Sequence, residues 1–216
     1  MSDLKILVAD DHPLFRSALI QALNQCHEQC EIVQAESYTE ALEALASPDF
    51  DLALIDLNMP GDQGQLHLSE ICRNHPDVAV TVVSGHDDRQ TMARVKAMGA
   101  AGFITKSSSL EQLVSALNQV IEQGEYWSLD FDETNVSLDQ DTCLTISQMT
   151  PQQKRVLAMI ADGKLNKQIA YELSIQETTI KQHVSAILKK LGVYNRTQAG
   201  LIYQRAINTD SELLTA

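Results

Sequence analysis

Short apolar runs alternate with amphipathic stretches through the first 124 residues of the chain. The pattern predicts strands at residues 4–9, 31–35, 51–56, 79–84 and 101–105, and helices at residues 13–27, 38–46, 63–74, 88–98 and 109–123. Strands 51–56 and 79–84 are almost wholly apolar, as expected when both faces of a strand are covered. Five strands alternating with five helices predict an α/β domain with a doubly wound, flavodoxin-like parallel sheet.

The periodicity stops at residue 125 and returns at residue 147. Residues 125–146 are acidic and polar, so we interpret them as a linker, in which Tyr126 and Trp127 could pack on the first domain. Beyond it, Thr150, Pro151 and Gln153 form a helix-starting capping box. Further helices are predicted at about 166–173, 177–190 and 196–207. The sequence therefore predicts an α/β domain at 1–124, an all-α four-helix domain at 147–207 and a tail at 208–216.

The net charge of −13 is distributed unevenly between these two domains. Residues 1–146 carry 7 Lys and Arg against 24 Asp and Glu, a net charge of −17. Residues 147–207 carry 9 against 3, a net charge of +6. A basic helical module on an acidic domain suggests DNA as the partner of the smaller domain, although charge alone does not distinguish this from a chance distribution.

Nothing in the sequence points to a membrane. No apolar run reaches the roughly 18–20 residues that cross a bilayer. The N-terminus leads directly into a strand, without the regions of a secretory signal. We therefore expect a cytoplasmic protein without a membrane partner.

Polar residues follow four of the predicted strands at their carboxyl ends: Asp10 and Asp11, Asp56, Ser84, and Lys106. In a parallel sheet these ends meet at one edge, where ligands bind. Three carboxylates in a small space require a cation, and Mg²⁺ suits oxygen ligands beside a phosphoryl group. Each residue alone could be a helix cap or a surface residue, but together they indicate a phosphoryl-accepting aspartate with its metal, hydroxyl and lysine.

The first 124 residues resemble the receiver domains of bacterial two-component response regulators. The resemblance rests on the segments Val8–His12, Ile55–Gly61, Val83–Gly85 and Gly102–Lys106. It implies that Asp56 accepts a phosphoryl group from a sensor histidine kinase. It also implies that Mg²⁺ is held by Asp11, Asp56 and the backbone carbonyl of Asn58, with Asp10 close by, and that Lys106 neutralises the phosphoryl group while Ser84 hydrogen-bonds it.

The same resemblance implies a switch in which Ser84 moves toward the phosphoryl group and Phe103 fills the vacated space. Phe103 could equally be an ordinary core residue, and it lacks the hydroxyl of a tyrosine. Asn58 and His86 stand where receivers vary the lifetime of the phosphoaspartate. Autodephosphorylation is compatible with this site, but no turnover of an external substrate is expected.

Residues 147–207 resemble the DNA-binding domain of NarL/FixJ (LuxR-type) regulators, through Met149–Pro151, Ala161–Ala170, Thr179–Val184, Lys189–Val193 and Asn195–Ala199. The third helix is then the recognition helix of a helix-turn-helix. Its outward-facing Lys181 and Gln182, with Ser185, are expected to contact bases. Phosphate contacts are expected from Asn166, Lys167, Lys189, Lys190, Arg196 and Thr197. Leu201 and Ile202 on the fourth helix are expected to pair two copies on an inverted repeat, or else to pack within the monomer.

The sequence therefore predicts a phosphorylation-controlled transcription regulator. The family resemblance implies a resting state in which the receiver could cover the recognition helix, a point that the sequence itself leaves open. One alternative is a phosphorylation-independent DNA-binding protein with a vestigial receiver, which the intact acidic residues disfavour. A second is an aspartate-nucleophile phosphatase. That class needs an Asp-x-Asp pair on the first strand, whereas Asp10 and Asp11 are adjacent.

Overall fold

A computed structural model of the chain describes residues 4–27, 29–47, 49–59, 66–85, 88–128, 145–146 and 148–213, without the side chains of Leu66 and of residues 208–213. The N-terminal domain contains β1 (Leu4–Ala9), α1 (Pro13–Cys26), β2 (Cys30–Ala35), α2 (Tyr38–Leu45), β3 (Leu52–Asp56), α3 (Leu66–Asn74), β4 (Ala79–Ser84), α4 (Arg89–Ala97), β5 (Gly102–Thr105), α5 (Leu110–Gln123) and β6 (Tyr126–Trp127).

All the strands lie in one parallel sheet of order β2-β1-β3-β4-β5-β6. The first five strands follow the flavodoxin-like order, which confirms the predicted fold class. Every residue of β3 and β4 is buried, which explains why their sequences are almost wholly apolar. Two apolar clusters cover the two faces of the sheet, with Leu7 and Phe103 in one and Ile6 and Leu117 in the other.

The sheet extends one strand further than the sequence predicts. Tyr126 and Trp127 pair with Gly102 and Phe103 of β5, so the start of the predicted linker belongs to the sheet. The preceding helix α5 begins with a capping box of Ser109 and Gln112 and ends at Gly124 in the left-handed conformation. The chain therefore turns sharply after α5 and runs back along the sheet edge. Most of the predicted linker, residues 129–144, lies outside the described residues.

The second domain contains α6 (Pro151–Ala161), α7 (Asn166–Leu173), α8 (Glu177–Leu191) and α9 (Arg196–Leu213). The predicted capping box of Thr150 and Gln153 starts α6. Ser174, in the left-handed conformation, makes the tight turn between α7 and α8. The core of the domain contains Val156, Ile169, Ile180, Val184 and Ile187, all nearly inaccessible to solvent. Helix α9 continues to Leu213, six residues beyond its predicted end.

None of the helices in the described part of the chain combines the length and hydropathy needed to cross a membrane.

Candidate functional site

The predicted acidic residues converge at the carboxyl edge of the sheet. Asp10 follows β1 and Asp56 ends β3, and both are almost completely buried. Ligand atoms of Asp10, Asp11, His12 and Asp56 all lie within 4.8 Å of one another. The three carboxylates of this cluster supply oxygen ligands around a small volume, which fits a hard divalent cation.

Lys106 connects the two buried carboxylates of this cluster. Its Nζ lies 2.7 Å from Oδ2 of Asp10 and 2.8 Å from Oδ2 of Asp56. Burial acts to lower the pKa of Lys106, but hydrogen bonds and the negative charges of Asp10 and Asp56 raise it overall. The lysine is therefore held as a cation, and one positive charge faces the carboxylates of Asp10, Asp11 and Asp56. The excess of negative charge leaves room for a divalent ion, which the donor set fits.

The remaining predicted residues of this edge divide between the interior and the surface. Ser84, at the end of β4, and Phe103, on β5, are both completely buried. Asn58 is exposed, and its backbone N–H donates to Oδ1 of Asp56 over 3.1 Å. His86 lies outside the described residues.

Two residues that the sequence analysis did not single out hold the acidic cluster in place. Arg16, on α1, donates from its guanidinium to the backbone carbonyl of Asp10 over 2.6 Å and also pairs with Glu36. Tyr38, at the start of α2, donates its hydroxyl to the backbone carbonyl of Asp56 over 2.9 Å. Both act on backbone atoms at strand ends, so they hold in place the backbone from which the two carboxylates project.

The base-contact residues predicted on α8 differ in accessibility. Gln182 and Ser185 are exposed, whereas Lys181 is half-buried and pairs with Glu177 over 3.2 Å. The exposed pair lies on the face opposite the buried Ile180 and Val184. This arrangement presents one polar face of α8 to solvent, as a recognition helix requires.

The residues predicted to contact phosphates fall into two groups. Lys189 and Lys190 are exposed near the end of α8, and Lys190 donates to Gln153 over 2.8 Å. The second group faces the receiver. Asn166 and Arg196 are buried, Lys167 is half-buried, and Thr197 lines a cleft between the two domains. Leu201 lines the same cleft, and Ile202 is half-buried.

Backbone contacts and polar pairs join the second domain to the amino edge of the receiver sheet. Nζ of Lys167 lies 2.9 Å from Oδ2 of Asp51, and the backbone N–H of Arg196 donates to the carbonyl of Pro76 over 3.2 Å. The backbones of Gly124 and Gly163 also lie very close together. A Cβ added to Gly124 would lie 2.4 Å from the carbonyl oxygen of Gly163, and a Cβ added to Gly163 would lie 1.5 Å from the carbonyl oxygen of Gln123.

The sequence matches two families of known proteins. Residues 6–118 match the response regulator receiver domain, and residues 147–202 match the luxR family of bacterial regulatory proteins. The chain is 39% identical over 204 residues to the glycerol metabolism activator of Pseudomonas putida, which covers 90% of this chain and 92% of that protein. The chain belongs to the LuxR-type response regulators. The resemblance inferred from the sequence motifs is thereby confirmed.

Other relatives of this response regulator support the same assignment. It is 30% identical over 207 residues to the nitrate/nitrite response regulator NarL of Escherichia coli K12, covering 94% of this chain and 96% of that one. Among solved structures it is similar to RcsB of Salmonella enterica serovar Typhimurium bound to promoter P1flhDC with phosphomimetic BeF3−, with a TM-score of 0.52 and 26% identity over 95% of this chain and 100% of that one. The chain is thus a transcriptional response regulator with a receiver and a DNA-binding domain.

Proposed function

We propose that Asp56 accepts a phosphoryl group from the histidine of a sensor kinase, and that this transfer controls sequence-specific DNA binding by the second domain. The observation that supports it most is the position of Lys106, whose ammonium lies between the buried carboxylates of Asp10 and Asp56 beside a cluster able to hold a metal ion. A structural salt bridge would need one carboxylate, not the three gathered here.

The transfer needs little covalent chemistry from the protein. A carboxylate oxygen of Asp56 forms a bond to phosphorus while the phosphorus–nitrogen bond of the donor histidine breaks, and the imidazole nitrogen keeps the electron pair. The transferred group carries its charge on three oxygens, so positioning and neutralisation dominate catalysis. Lys106 supplies one positive charge to these oxygens, and the hydroxyl of Ser84 donates a hydrogen bond once the group has arrived.

Mg²⁺ is the proposed cofactor, held by Asp10, Asp11, Asp56 and the backbone carbonyl of Asn58. When bound, it would supply two further positive charges to neutralise the phosphoryl oxygens. The carboxylates serve to orient the nucleophile and to keep the site selective for a hard cation.

Phosphorylation would be relayed through Ser84 and Phe103. Both are completely buried, so a movement of the Ser84 hydroxyl toward the phosphoryl group has to be matched by repacking nearby. Asn58 and His86 would set the lifetime of the phosphoaspartate, with hydrolysis at Asp56 as the only turnover. An unchanged phosphoaspartate half-life in a variant substituted at both positions would contradict this role.

In the DNA complex, Lys181, Gln182 and Ser185 would contact base edges in the major groove. Asn166, Lys167, Lys189, Lys190, Arg196 and Thr197 would contact the phosphate backbone, which fixes register without reading sequence. Leu201 and Ile202 would pair two copies of α9 on an inverted repeat. The promoter complex of RcsB, a relative of matching length, supports a DNA complex of this kind.

Selection of genomic fragments by the purified full-length protein tests the whole proposal. The protein is compared with and without Mg²⁺ and beryllium fluoride, and against Asp56→Asn. We expect the protein to bind discrete palindromic sites only when Mg²⁺ and beryllium fluoride are present and Asp56 is intact. The same sites bound in every condition would show that the receiver is not the switch and would favour the vestigial alternative.

A further inference from the structure

A second buried aspartate, Asp51, lies at the amino end of β3, whereas Asp56 lies at its carboxyl end. Asp51, immediately before the strand, is only 4% exposed. Its Oδ2 accepts a hydrogen bond from the backbone N–H of Lys5 and another from Nζ of Lys167, each over 2.9 Å. The first bond lies within the receiver, whereas the second joins the receiver to the DNA-binding domain.

The residues around this pair on the DNA-binding side are those expected to contact DNA phosphates. Lys167 opens α7 beside Asn166, which is 4% exposed, and Arg196 is 5% exposed. The negative charges of Asp51 and Asp77 both act on the Arg196 guanidinium. Half of the six proposed phosphate-contact residues therefore face carboxylates or lie buried at the domain boundary.

Two of the three proposed base-contact residues lie outside this boundary, and the third, Lys181, is half-buried. Gln182 and Ser185 on α8 remain exposed, and so do Lys189 and Lys190 near its end. The receiver therefore leaves Gln182 and Ser185 on the recognition face of α8 exposed. It covers the end of the domain where α7 and α9 begin.

We propose that the receiver excludes DNA through Asp51, whose carboxylate occupies on Lys167 the place that a DNA backbone phosphate takes in the complex. This inference rests on the proposed role of Lys167 as a phosphate contact. A carboxylate and a phosphate both present anionic oxygens to an ammonium group, and Lys167 cannot satisfy a buried carboxylate and a groove phosphate at once.

The contact between Asp51 and Lys167 joins the two domains but contributes little to the stability of their association. Burial raises the pKa of Asp51, even though the bonds from Lys5 and Lys167 act to lower it. The desolvation of the carboxylate thus outweighs the attraction of its partners, and such a pair contributes little net stability. Loss of Lys167, however, would leave the Asp51 carboxylate buried without that cation, and loss of the Asp51 charge would remove the buried carboxylate that Lys167 contacts across the domain boundary. Closure therefore depends on both residues, yet opening is readily driven by a competing ligand.

Removal of the Asp51 charge tests this inference in the full-length, unphosphorylated protein. The contact between the domains is followed without DNA, through the rate at which an amine-reactive ester acetylates Lys167. Mass spectrometry measures this rate, and exposed Lys189 serves as the reference. Asp51→Asn keeps an amide oxygen for the N–H of Lys5 and removes the charge. We expect acetylation of Lys167 to accelerate about tenfold, because Lys167 loses the carboxylate that attracts it to the domain boundary.

Glu111→Gln is the matched control, because it removes one negative charge from an exposed position at the start of α5. Its Lys167 should react like that of the wild-type protein. Asp51→Ser, with a hydroxyl acceptor, provides a second uncharged variant if the asparagine does not fold. An unchanged Lys167 rate in a folded, uncharged variant would overturn the inference.

The same proteins are then titrated with a genomic fragment selected by the fluoride-treated wild-type protein. Asp51→Asn should bind this fragment about tenfold more tightly than the unphosphorylated wild type, approaching the fluoride-treated affinity. Faster acetylation with unchanged affinity would also overturn the inference, since opening would then not be what limits binding. A chain that binds no fragment in any form would overturn the proposed function itself, which keeps the two failures distinguishable.

Discussion

Strand β3 carries a buried aspartate at each end, and each aspartate is paired with a lysine at nearly the same distance. At the carboxyl edge, Lys106 lies 2.8 Å from Asp56, and at the amino edge, Lys167 lies 2.9 Å from Asp51. The carboxyl-edge lysine belongs to the same domain and has two carboxylate partners. The amino-edge lysine comes from the other domain and contacts Asp51 across the domain boundary. The two aspartate–lysine pairs therefore have similar distances but different surroundings.

The surroundings favour the charged form of Lys106 at one pair and disfavour the charged form of Asp51 at the other. At the carboxyl edge, the surrounding carboxylates outweigh burial and raise the pKa of Lys106, so the ammonium is stabilised there. At the amino edge, burial outweighs the partners and raises the pKa of Asp51, so its charged form is disfavoured. The first pair is suited to hold charge for chemistry, and the second is suited to be exchanged for another partner.

Asparagine at the two ends of β3 should have the most different effects. In Asp56→Asn, phosphoryl incorporation from acetyl phosphate with Mg²⁺ should fall to background, because the nucleophilic carboxylate is gone. In Asp51→Asn, incorporation should be retained, because the altered residue lies at the opposite edge of the sheet. Intact-protein mass spectrometry measures both. Equal incorporation in Asp56→Asn and the wild-type protein would rule out Asp56 as the acceptor.

Removal of the carboxyl-edge lysine should expose the repulsion among the carboxylates. In EDTA, Lys106→Met should lower the free energy of unfolding by about 2 kcal/mol, the contribution of a hydrogen bond to a charged group. Added Mg²⁺ should recover more than half of that loss, because a bound cation stabilises the folded state. Urea denaturation followed by fluorescence of Trp127, the single tryptophan, measures the receiver.

Lys189→Met, at an exposed position, is the control for this experiment and should unfold like the wild-type protein in both conditions. A Lys106→Met protein whose stability did not depend on Mg²⁺ would show that the acidic cluster does not hold the metal.

Two glycines allow the closeness of the domains to be tested without altering a charge. Gly163 and Gly192 each follow a helix in the left-handed conformation, with φ of +79° and +67°. A Cβ at Gly163 would lie 1.5 Å from the carbonyl oxygen of Gln123, whereas nothing lies within 4 Å of one at Gly192. Alanine at either position should cost about 1 kcal/mol of backbone strain.

Only Gly163→Ala should also separate the domains. We expect faster acetylation of Lys167 and a larger radius of gyration by small-angle X-ray scattering in Gly163→Ala, with neither change in Gly192→Ala. Identical scattering from the two variants would mean that the Gly124–Gly163 contact does not hold the domains together.

The sequence predicted the carboxyl edge far better than the amino edge, for a physical reason. Residues at the carboxyl ends of parallel strands converge in any doubly wound sheet, so Asp10, Asp56 and Lys106 could be brought together from strand positions alone. Arg16 and Tyr38 escaped because they bind backbone carbonyls, which no sequence pattern marks.

The amino edge depends on how the domains dock, and no local pattern specifies that. Asp51 resembles any polar residue that begins a strand, and Arg196 any basic residue at a helix start. Their burial arises only because the second domain packs against the receiver. Strand β6 was missed for a related reason, since two residues are too few to show an alternating pattern.

The smallest predicted effect concerns the amino edge alone. His75, half-buried after α3, lies next to Pro76, whose carbonyl accepts the N–H of Arg196. Burial lowers the pKa of His75 below 6.5, although the negative charge of Asp77 acts to raise it. Between the lowered pKa and 6.5 the folded protein therefore binds fewer protons than the unfolded chain, so its stability should fall as the pH drops through this window.

Two variants should move this acid sensitivity in opposite directions. His75→Gln should flatten the decline of the urea midpoint below about pH 6.5, because the titrating group is absent. Asp77→Asn should steepen it, because the pKa of His75 would fall further once burial acts without the opposing charge. Equal slopes in the wild-type protein and both variants would mean that desolvation at this edge does not control the protonation of His75. The contrast with the charge-stabilised carboxyl edge would then be limited to Asp51.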